Sequence, residues 1–267
     1  MTLFNLVLIA IIQGITEFLP ISSSGHLILL PALTTLEDQG LVIDVAVHIG
    51  TLFAVTLYFR RDVAAAFTGL PDMLRGRLER PGARLALCLV IATVPVMIAG
   101  LIFKLTGLME AMRSIALIGW TMIIFGIVLY VTDRVGRFHK VTADWSLRDA
   151  WILGLWQAVA LVPGTSRSGI CISGARFLGY ARHDAARISM LMSIPTIIAS
   201  GVLMGGDVLL RMDAQAARDG AIVAVMAFFA ALAALAFMMK LLQTVSFTPY
   251  VIYRLALGGA LLWVAYV

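Results

Sequence analysis

Apolar and polar positions alternate along this chain in an order that occurs twice. Leu3 to Ile15 is apolar but only about 13 residues long, and Leu27 to Leu33 is shorter still. A spanning helix needs about 20 residues. Between the two lies Glu17 to His26, which includes the run Pro20-Ile21-Ser22-Ser23-Ser24-Gly25-His26. Hydrocarbon cannot satisfy such groups, so a polar, helix-breaking run at membrane depth must be buried in protein or line a wet cavity. The pattern predicts a re-entrant hairpin: a half-helix in, a polar tip, and a short helix out. One spanning helix kinked at Pro20 is the alternative, but the serines, glycine and histidine beside the proline exceed what a kink requires.

Thr34 to Gly40 then reads as a polar loop, and Leu41 to Phe59 as the first full span. Asp62 to Arg84 reads as the longest polar connection. Leu85 to Phe103, kinked at Pro95, and Ser114 to Val131 are the next spans, and Asp133 to Asp149 is a loop. The second half repeats the order. Ala150 to Val162 is too short to span, Pro163 to Gly169 is a second polar tip, and Ile170 to Leu178 leads away from it. Ile188 to Met204, Ala221 to Met239 and Tyr250 to Val267 are three further spans. Gln13 and Gln157, Ser22 and Ser166, Ser24 and Ser168, and Gly25 and Gly169 are each 144 residues apart. A hairpin returns the chain to its starting side and three spans move it across, so the second copy starts on the opposite face. The expectation is an all-α polytopic integral membrane protein with an inverted-topology repeat, six transmembrane helices plus two re-entrant helical hairpins. It forms a single membrane domain, 1–267, with repeat 1 about 1–132 and repeat 2 about 149–267. Broken helices that meet near the midplane are a recognised membrane architecture.

Composition agrees. Of 267 residues, 61% are hydrophobic and 13% charged, with mean hydropathy +0.98. Soluble domains are about 45–50% apolar and about 25% charged. The net charge of +5 reads as a membrane asymmetry rather than a nucleic-acid surface, because no basic patch is interleaved with exposed aromatics. On this topology one side holds Arg60, Arg61, Arg75, Arg77, Arg80, Arg84, Arg134, Arg137, Lys140, Arg148, Arg176, Arg182, Arg187 and Lys240. The other holds Lys104, Arg113, Arg211 and Arg218, leaving Arg167 and Arg254 at membrane depth. The first side is therefore expected in the cytoplasm. The first hairpin then opens outward and the second inward. Cys88 and Cys171 have neither disulfide-framework nor zinc-site spacing. Met1 to Leu6 lacks a basic n-region, so no cleaved signal peptide is expected.

The two tips carry the chemistry. Gln13 and Glu17 are four apart on one helix face. Ser22, Ser23 or Ser24 can cap the helix that follows, and free N–H groups at such a terminus attract an anion. The second tip, with Gly164, Ser166 and Ser168, is built alike and adds Arg167, whose fork matches phosphate oxygens. Glu17 and His26 are available for proton or metal work. Asp44 and His48 read as a local pair first and as cavity lining second, and Arg254 as the partner of a carboxylate or a lipid phosphate.

At these residues the sequence resembles the undecaprenyl-diphosphate phosphatases of the bacitracin-resistance family. That family's first motif, [Glu/Gln]-x-x-x-Glu running into Phe-Leu-Pro-x-Ser-Ser-x-Gly-His, is matched by Gln13 to His26. Its second, Pro-Gly-x-Ser-Arg-Ser-Gly with a Thr two residues on, is matched by Pro163 to Gly169, with Cys171 at the Thr position. The resemblance extends over essentially the whole chain, including Ile194-Pro195 and Ser246 to Arg254. It implies a multi-pass enzyme of the bacterial inner membrane that removes one phosphate from a polyprenyl diphosphate. It associates catalysis with Glu17, Ser22, Ser23, His26, Ser166 and Arg167, and activity with Mg²⁺ or Ca²⁺.

Arg167 is expected to clamp the diphosphate, Ser23 to attack, His26 to take its proton or activate water, and Glu17 to orient His26 or hold the cation. Gln13, Ser22, Ser24, Gly164, Ser166, Ser168 and Cys171 are expected to bind substrate. Gln13 cannot supply a negative metal ligand, and Cys171 offers only a weak donor. Expected partners are the lipid substrate and the bilayer, with no nucleic acid and a homodimer left open. The competing reading is a transporter or flippase of polyprenyl phosphate, which uses the same architecture but has no need of a nucleophile beside a base.

Overall fold

A computed structural model describes residues 2–23, 25–27, 40–112, 114–135, 139–211 and 213–267. Ser24 and the loop and exit segment expected over residues 28–39 lie outside the described residues. Helices α1 (Leu3–Thr16), α2 (Gly40–Tyr58), α3 (Arg60–Leu74), α4 (Pro81–Thr106), α5 (Leu108–Ala111) and α6 (Ile115–Arg134) make the first half. A 3₁₀ turn (Thr142–Asp144), α7 (Leu147–Val159), α8 (Arg167–Phe177), α9 (Arg182–Arg211), α10 (Ala214–Leu241) and α11 (Thr248–Tyr266) make the second. Among the described residues six helices are long and apolar enough to cross a membrane: α2, α4, α6, α10, α11 and the Arg182–Gly206 part of α9. The 14 residues of α1, 13 of α7 and 11 of α8 fall short of the length that crossing requires.

The polar connection expected from Asp62 to Arg84 is corrected: its first part is α3. Pro71 lies inside that helix, and its residues read as loop because only one face of it is apolar. Gly69 and Gly82 let α3 lie on the start of α4; a Cβ on Gly69 would stand 2.3 Å from the Gly82 carbonyl carbon. Pro95 sits inside an uninterrupted α4.

Packing is reciprocal between the halves. α1 lies against α10, where a Cβ on Gly14 would stand 2.5 Å from the Ala230 methyl and 2.9 Å from the Ala227 carbonyl oxygen. α7 lies against α4, where a Cβ on Gly154 would stand 2.7 Å from the Ala92 oxygen and 2.8 Å from the Pro95 ring. α6 pairs with α11, and α2 with α9. Helix α8 has little apolar character, yet Ser168 through Arg176 are all buried. It runs through the middle of the main core, among Leu153 of α7, Leu129 of α6, Met190 of α9 and Leu235 of α10. A smaller core joins Leu6 and Ile9 of α1 to Val47 of α2 and Val223 of α10.

The charged loop ends meet on one face. Asp133, at the end of α6, accepts from Arg176 Nε at 3.0 Å, from Arg182 Nε at 2.9 Å and from the Phe247 amide at 3.4 Å. Tyr180 donates to Asp149 at 2.7 Å, and Lys140 donates to the same carboxylate at 2.9 Å. Burial and the neighbouring Asp149 push the Tyr180 phenol up from its ordinary range, so it stays a donor. Arg187 of α9 pairs with Asp62 of α3.

Candidate active site

The two polar tips touch, and Glu17 is the residue they share. It caps the C-terminus of α1, and its amide donates to the Gln13 carbonyl at 2.9 Å, which keeps the two side chains on one face. Its carboxylate is buried. Oε2 accepts from Ser23 Oγ at 2.8 Å and from Gln13 Nε2 at 2.9 Å, and Oε1 accepts from Arg167 Nη2 at 2.9 Å. Ser23 and Arg167 therefore stand on opposite oxygens of one carboxylate. Arg167 also donates from Nη1 to the Ser189 carbonyl at 3.2 Å, and its guanidinium lies over the Phe18 ring. The geometry holds a hydroxyl, a base and a cationic fork within one small volume.

His48 joins them from α2. Its Nδ1 lies 2.7 Å from the Asp44 carbonyl, which can only accept, so Nδ1 carries the proton. Nε2 then accepts from Gln13 Nε2 at 3.1 Å and stands 3.8 Å from Glu17 Oε2. Asp44 therefore meets His48 through its main chain, and the reading of His48 as mainly structural is corrected. Gln13 divides its amide protons between His48 and Glu17, leaving its buried Oε1 without a hydrogen-bond partner among the described residues.

His26 sits elsewhere. Its Nδ1 donates to the Ser22 carbonyl at 2.6 Å, so Nε2 accepts from Tyr253 Oη, also at 2.6 Å, with the two rings stacked. Both ring nitrogens are thus committed away from Ser23. The expected proton transfer from Ser23 to His26 is corrected: the acceptor beside Ser23 is Glu17.

The remaining expected ligands mostly build the tips. Ser22 and Ser166 are the non-glycine residues at positive φ among the described residues, 73° and 70°. Such backbone is costly for a residue with a side chain and persists where its surroundings require it. Each serine turns its hydroxyl onto the amide three residues on, Gly25 at 3.3 Å and Gly169 at 3.1 Å. Ser168 donates to the Leu19 carbonyl at 2.9 Å and lies 3.1 Å from the Ser166 hydroxyl, tying the second tip to the first. Gly164, at φ 85°, lets the second tip approach α6; a Cβ there would lie 2.2 Å from Thr121 Oγ1. Cys171 is buried and its thiol goes to Gln157 Oε1 at 3.8 Å, which removes it from the substrate-binding set.

Arg254 of α11 is fully buried, and among the described residues its guanidinium is hydrogen-bonded to main-chain carbonyls. It donates to the carbonyls of Met122 at 3.1 Å, Thr121 at 3.4 Å, Pro20 at 3.3 Å and Gly164 at 3.1 Å. It holds both tips through their backbones. Its place in an apolar span was the signal for a role at depth, but carbonyls leave no mark in a sequence. Thr165, beside the Ser166 cap, has a buried hydroxyl with no partner among the described residues. One turn beyond Arg167, Ile170 borders an apolar crevice of about 400 Å³ with Phe125, Val128, Leu155, Trp156 and Val159.

No cluster of three or more His, Cys, Asp or Glu side chains that could hold a metal occurs among the described residues. Among the described residues the two tips offer a hard cation one carboxylate, Glu17, and the amide oxygen of Gln13. Mg²⁺ is commonly held by one or two carboxylates together with substrate phosphates, so the donors fit an ion bridged to a phosphorylated substrate.

Residues 6–260 match the model of the bacitracin resistance protein BacA family. The chain is 68% identical over 266 residues to a protein of Ruegeria pomeroyi named undecaprenyl-diphosphatase, covering all of both chains. It is 65% identical, again over both full lengths, to an undecaprenyl-diphosphatase of a Jannaschia species. A Rhodospirillum rubrum protein named undecaprenyl-diphosphatase 1 is 46% identical, with 96% of that protein covered.

Proposed function

The chain belongs to the bacitracin resistance protein BacA family, and from that premise we propose that it hydrolyses undecaprenyl diphosphate to undecaprenyl phosphate and inorganic phosphate. It is a multi-pass protein of the bacterial inner membrane, with six spans. The observation that carries the reaction is the shared carboxylate: Ser23 on Glu17 Oε2 and Arg167 on Glu17 Oε1.

Without substrate, Arg167 and Glu17 neutralise one another. The terminal phosphate of the diphosphate competes for the guanidinium, and charge-assisted bonds from Arg167 to its oxygens free Glu17 to act as base. Glu17 takes the Ser23 proton as Oγ attacks the terminal phosphorus. The bond from that phosphorus to the bridging oxygen breaks, undecaprenyl phosphate leaves, and Glu17 returns the proton to it. Water then cleaves the phosphoserine, giving up a proton to Glu17 while Ser23 regains one, and phosphate departs. Arg167 stabilises the charge on the transferred group throughout. Gln13 and His48 hold Glu17 in place. His26 and Tyr253 stand at the more exposed side of the first tip, where His26, held by Tyr253, steadies the Ser22 turn that presents Ser23 to Glu17. Glu17, helped by Gln13 Oε1, would hold Mg²⁺ or Ca²⁺ against the diphosphate; the ion supplies charge neutralisation between the phosphates. The apolar crevice beside Ile170 receives the first isoprene units of the tail.

We read the two halves as inverted copies whose short helices enter from opposite faces as re-entrant hairpins. The reciprocal packing of α1 on α10 and α7 on α4 supports this. So do the paired strained caps at Ser22 and Ser166, 144 residues apart.

Detergent-purified protein tests the reaction, since micelles have no compartments and a carrier would release no phosphate there. Arg167→Ala and Ser23→Ala are each expected to lower phosphate release by at least about a thousandfold, the scale of removing a transition-state clamp or a nucleophile. Near-normal release by Arg167→Ala would remove the clamp. A Ser23→Ala enzyme that keeps substantial activity would transfer the attack to water.

A further inference from the structure

The junction of α2 and α3 carries a basic cavity that the reaction leaves unused. It measures about 330 Å³, and Tyr58, Arg60, Arg61, Asp62, His183 and Arg187 line it. Its charge is unbalanced. Asp62 is engaged by Arg187, through Nε at 3.1 Å and through Nη2. Arg60 and Arg61 are exposed and make no side-chain hydrogen bond or ion pair among the described residues. Two cations are left to face the opening.

The cavity also stands at a membrane boundary. The span α2 ends at Tyr58, and its final turns leave Phe53, Leu57 and Tyr58 exposed. Helix α3 starts two residues later and cannot cross. Its Phe67 and Leu74, 72% and 81% exposed, lie two turns apart on its outer face, while Gly69 presses the opposite face onto α4. A helix with an apolar outer face and arginines at its start lies in the plane of the interface. An apolar wall therefore rises from the cavity on one side, and an arginine collar closes it on the other.

We propose that this cavity is a headgroup site for an anionic phospholipid of the surrounding bilayer. The phosphate sits between Arg60 and Arg61, with Arg187 behind it, and Tyr58 at the level of the glycerol backbone. The acyl chains run along the exposed face of α2. Basic pockets between spans at the cytoplasmic boundary are suited to such headgroups. A bound lipid would join α2, α3 and α9, since Arg187 already links α9 to Asp62. Inorganic phosphate shares the headgroup chemistry, but it makes no use of the apolar wall.

The full chain, purified in micelles containing equal amounts of phosphatidylglycerol and phosphatidylcholine, tests this by native mass spectrometry of retained lipid. The parent protein is expected to keep phosphatidylglycerol over phosphatidylcholine. R60Q/R61Q is expected to retain about tenfold less phosphatidylglycerol or lower, on the scale of two surface cations. R61Q alone should show part of that loss, and Arg75→Gln, an exposed arginine at the far end of α3, should show none. Phosphate release in micelles should be unchanged in all three variants, which separates this site from the catalytic one. The proposal is overturned if the parent holds both lipids equally, if R60Q/R61Q retains phosphatidylglycerol like the parent, or if Arg75→Gln loses as much. Displacement of the lipid by millimolar inorganic phosphate would also overturn it, by making the site one for soluble anions.

Discussion

Each neighbour of Glu17 is fixed by something other than Glu17. Gln13 is held by its place on α1, His48 by the Asp44 carbonyl, Arg167 by Ser189 and Ser23 by the turn that Ser22 makes. The resulting carboxylate has a hydroxyl on one oxygen and a guanidinium on the other, an arrangement that favours proton abstraction once the guanidinium has a phosphate to bind. Tyr253 has a separate task. By donating to His26 Nε2 it fixes the tautomer and parks the ring. Tyr253→Phe is expected to lower kcat several-fold while leaving the thermal midpoint within about 1 °C, because a partly exposed hydroxyl contributes little to stability. Steady-state phosphate release and a melting curve check it. A large fall in the midpoint with unchanged kcat would make Tyr253 a packing residue only.

At the scale of elements, small residues allow backbones to approach. A Cβ on Gly50 of α2 would stand 2.1 Å from the Ala224 carbonyl oxygen of α10. Backbone cannot yield as a side-chain end can. Gly50→Ala should therefore force α2 and α10 apart and cost about 1–3 kcal/mol, seen as a lower midpoint in detergent. Gly201, in α9 with open space around it, should tolerate the same change. The six spans and the two short segments were legible as hydropathy, since chain length against bilayer thickness is a one-dimensional property. Helix α3 was not, because arginines and a proline disguise a helix that is apolar on one side only. His48 was underrated for a related reason. A histidine one turn from an aspartate looks like a local pair, and only the approach of α1 reveals that it faces Gln13. The tip motifs pointed to Glu17, Ser23 and Arg167, and the fold brings these three side chains together. The motifs did not distinguish the serines that cap, Ser22 and Ser166, from the serine that meets Glu17, a difference that lies in backbone angles.

Across the whole molecule, charge gathers on one face. The ends of α6 and α8, the start of α9 and the turn before α11 converge on Asp133, which is 2% exposed, as is Arg176 beside it. Asp133→Asn would remove the carboxylate that Arg176 and Arg182 share, at a cost of about 3–5 kcal/mol. The expected outcome is a strongly lowered melting temperature, with Arg167 and Ser23 untouched and residual turnover at low temperature. An unchanged midpoint would show that the Tyr180 and Phe247 backbones carry that face without the ion pair.

The grip of Arg254 on both tips has a consequence in time. Its guanidinium reaches Pro20, made 234 residues earlier, and Gly164, made 90 residues earlier. During synthesis the first tip enters the bilayer long before the side chain that will secure it has been translated, and the second tip also waits. A ribosome-bound chain that has inserted α1 through α10 already holds Glu17, Ser23 and Arg167 and yet lacks the residue that joins the tips through their backbones. On the proposed mechanism the two tips are secured only once α11 has inserted, so turnover is expected to begin with the completed chain.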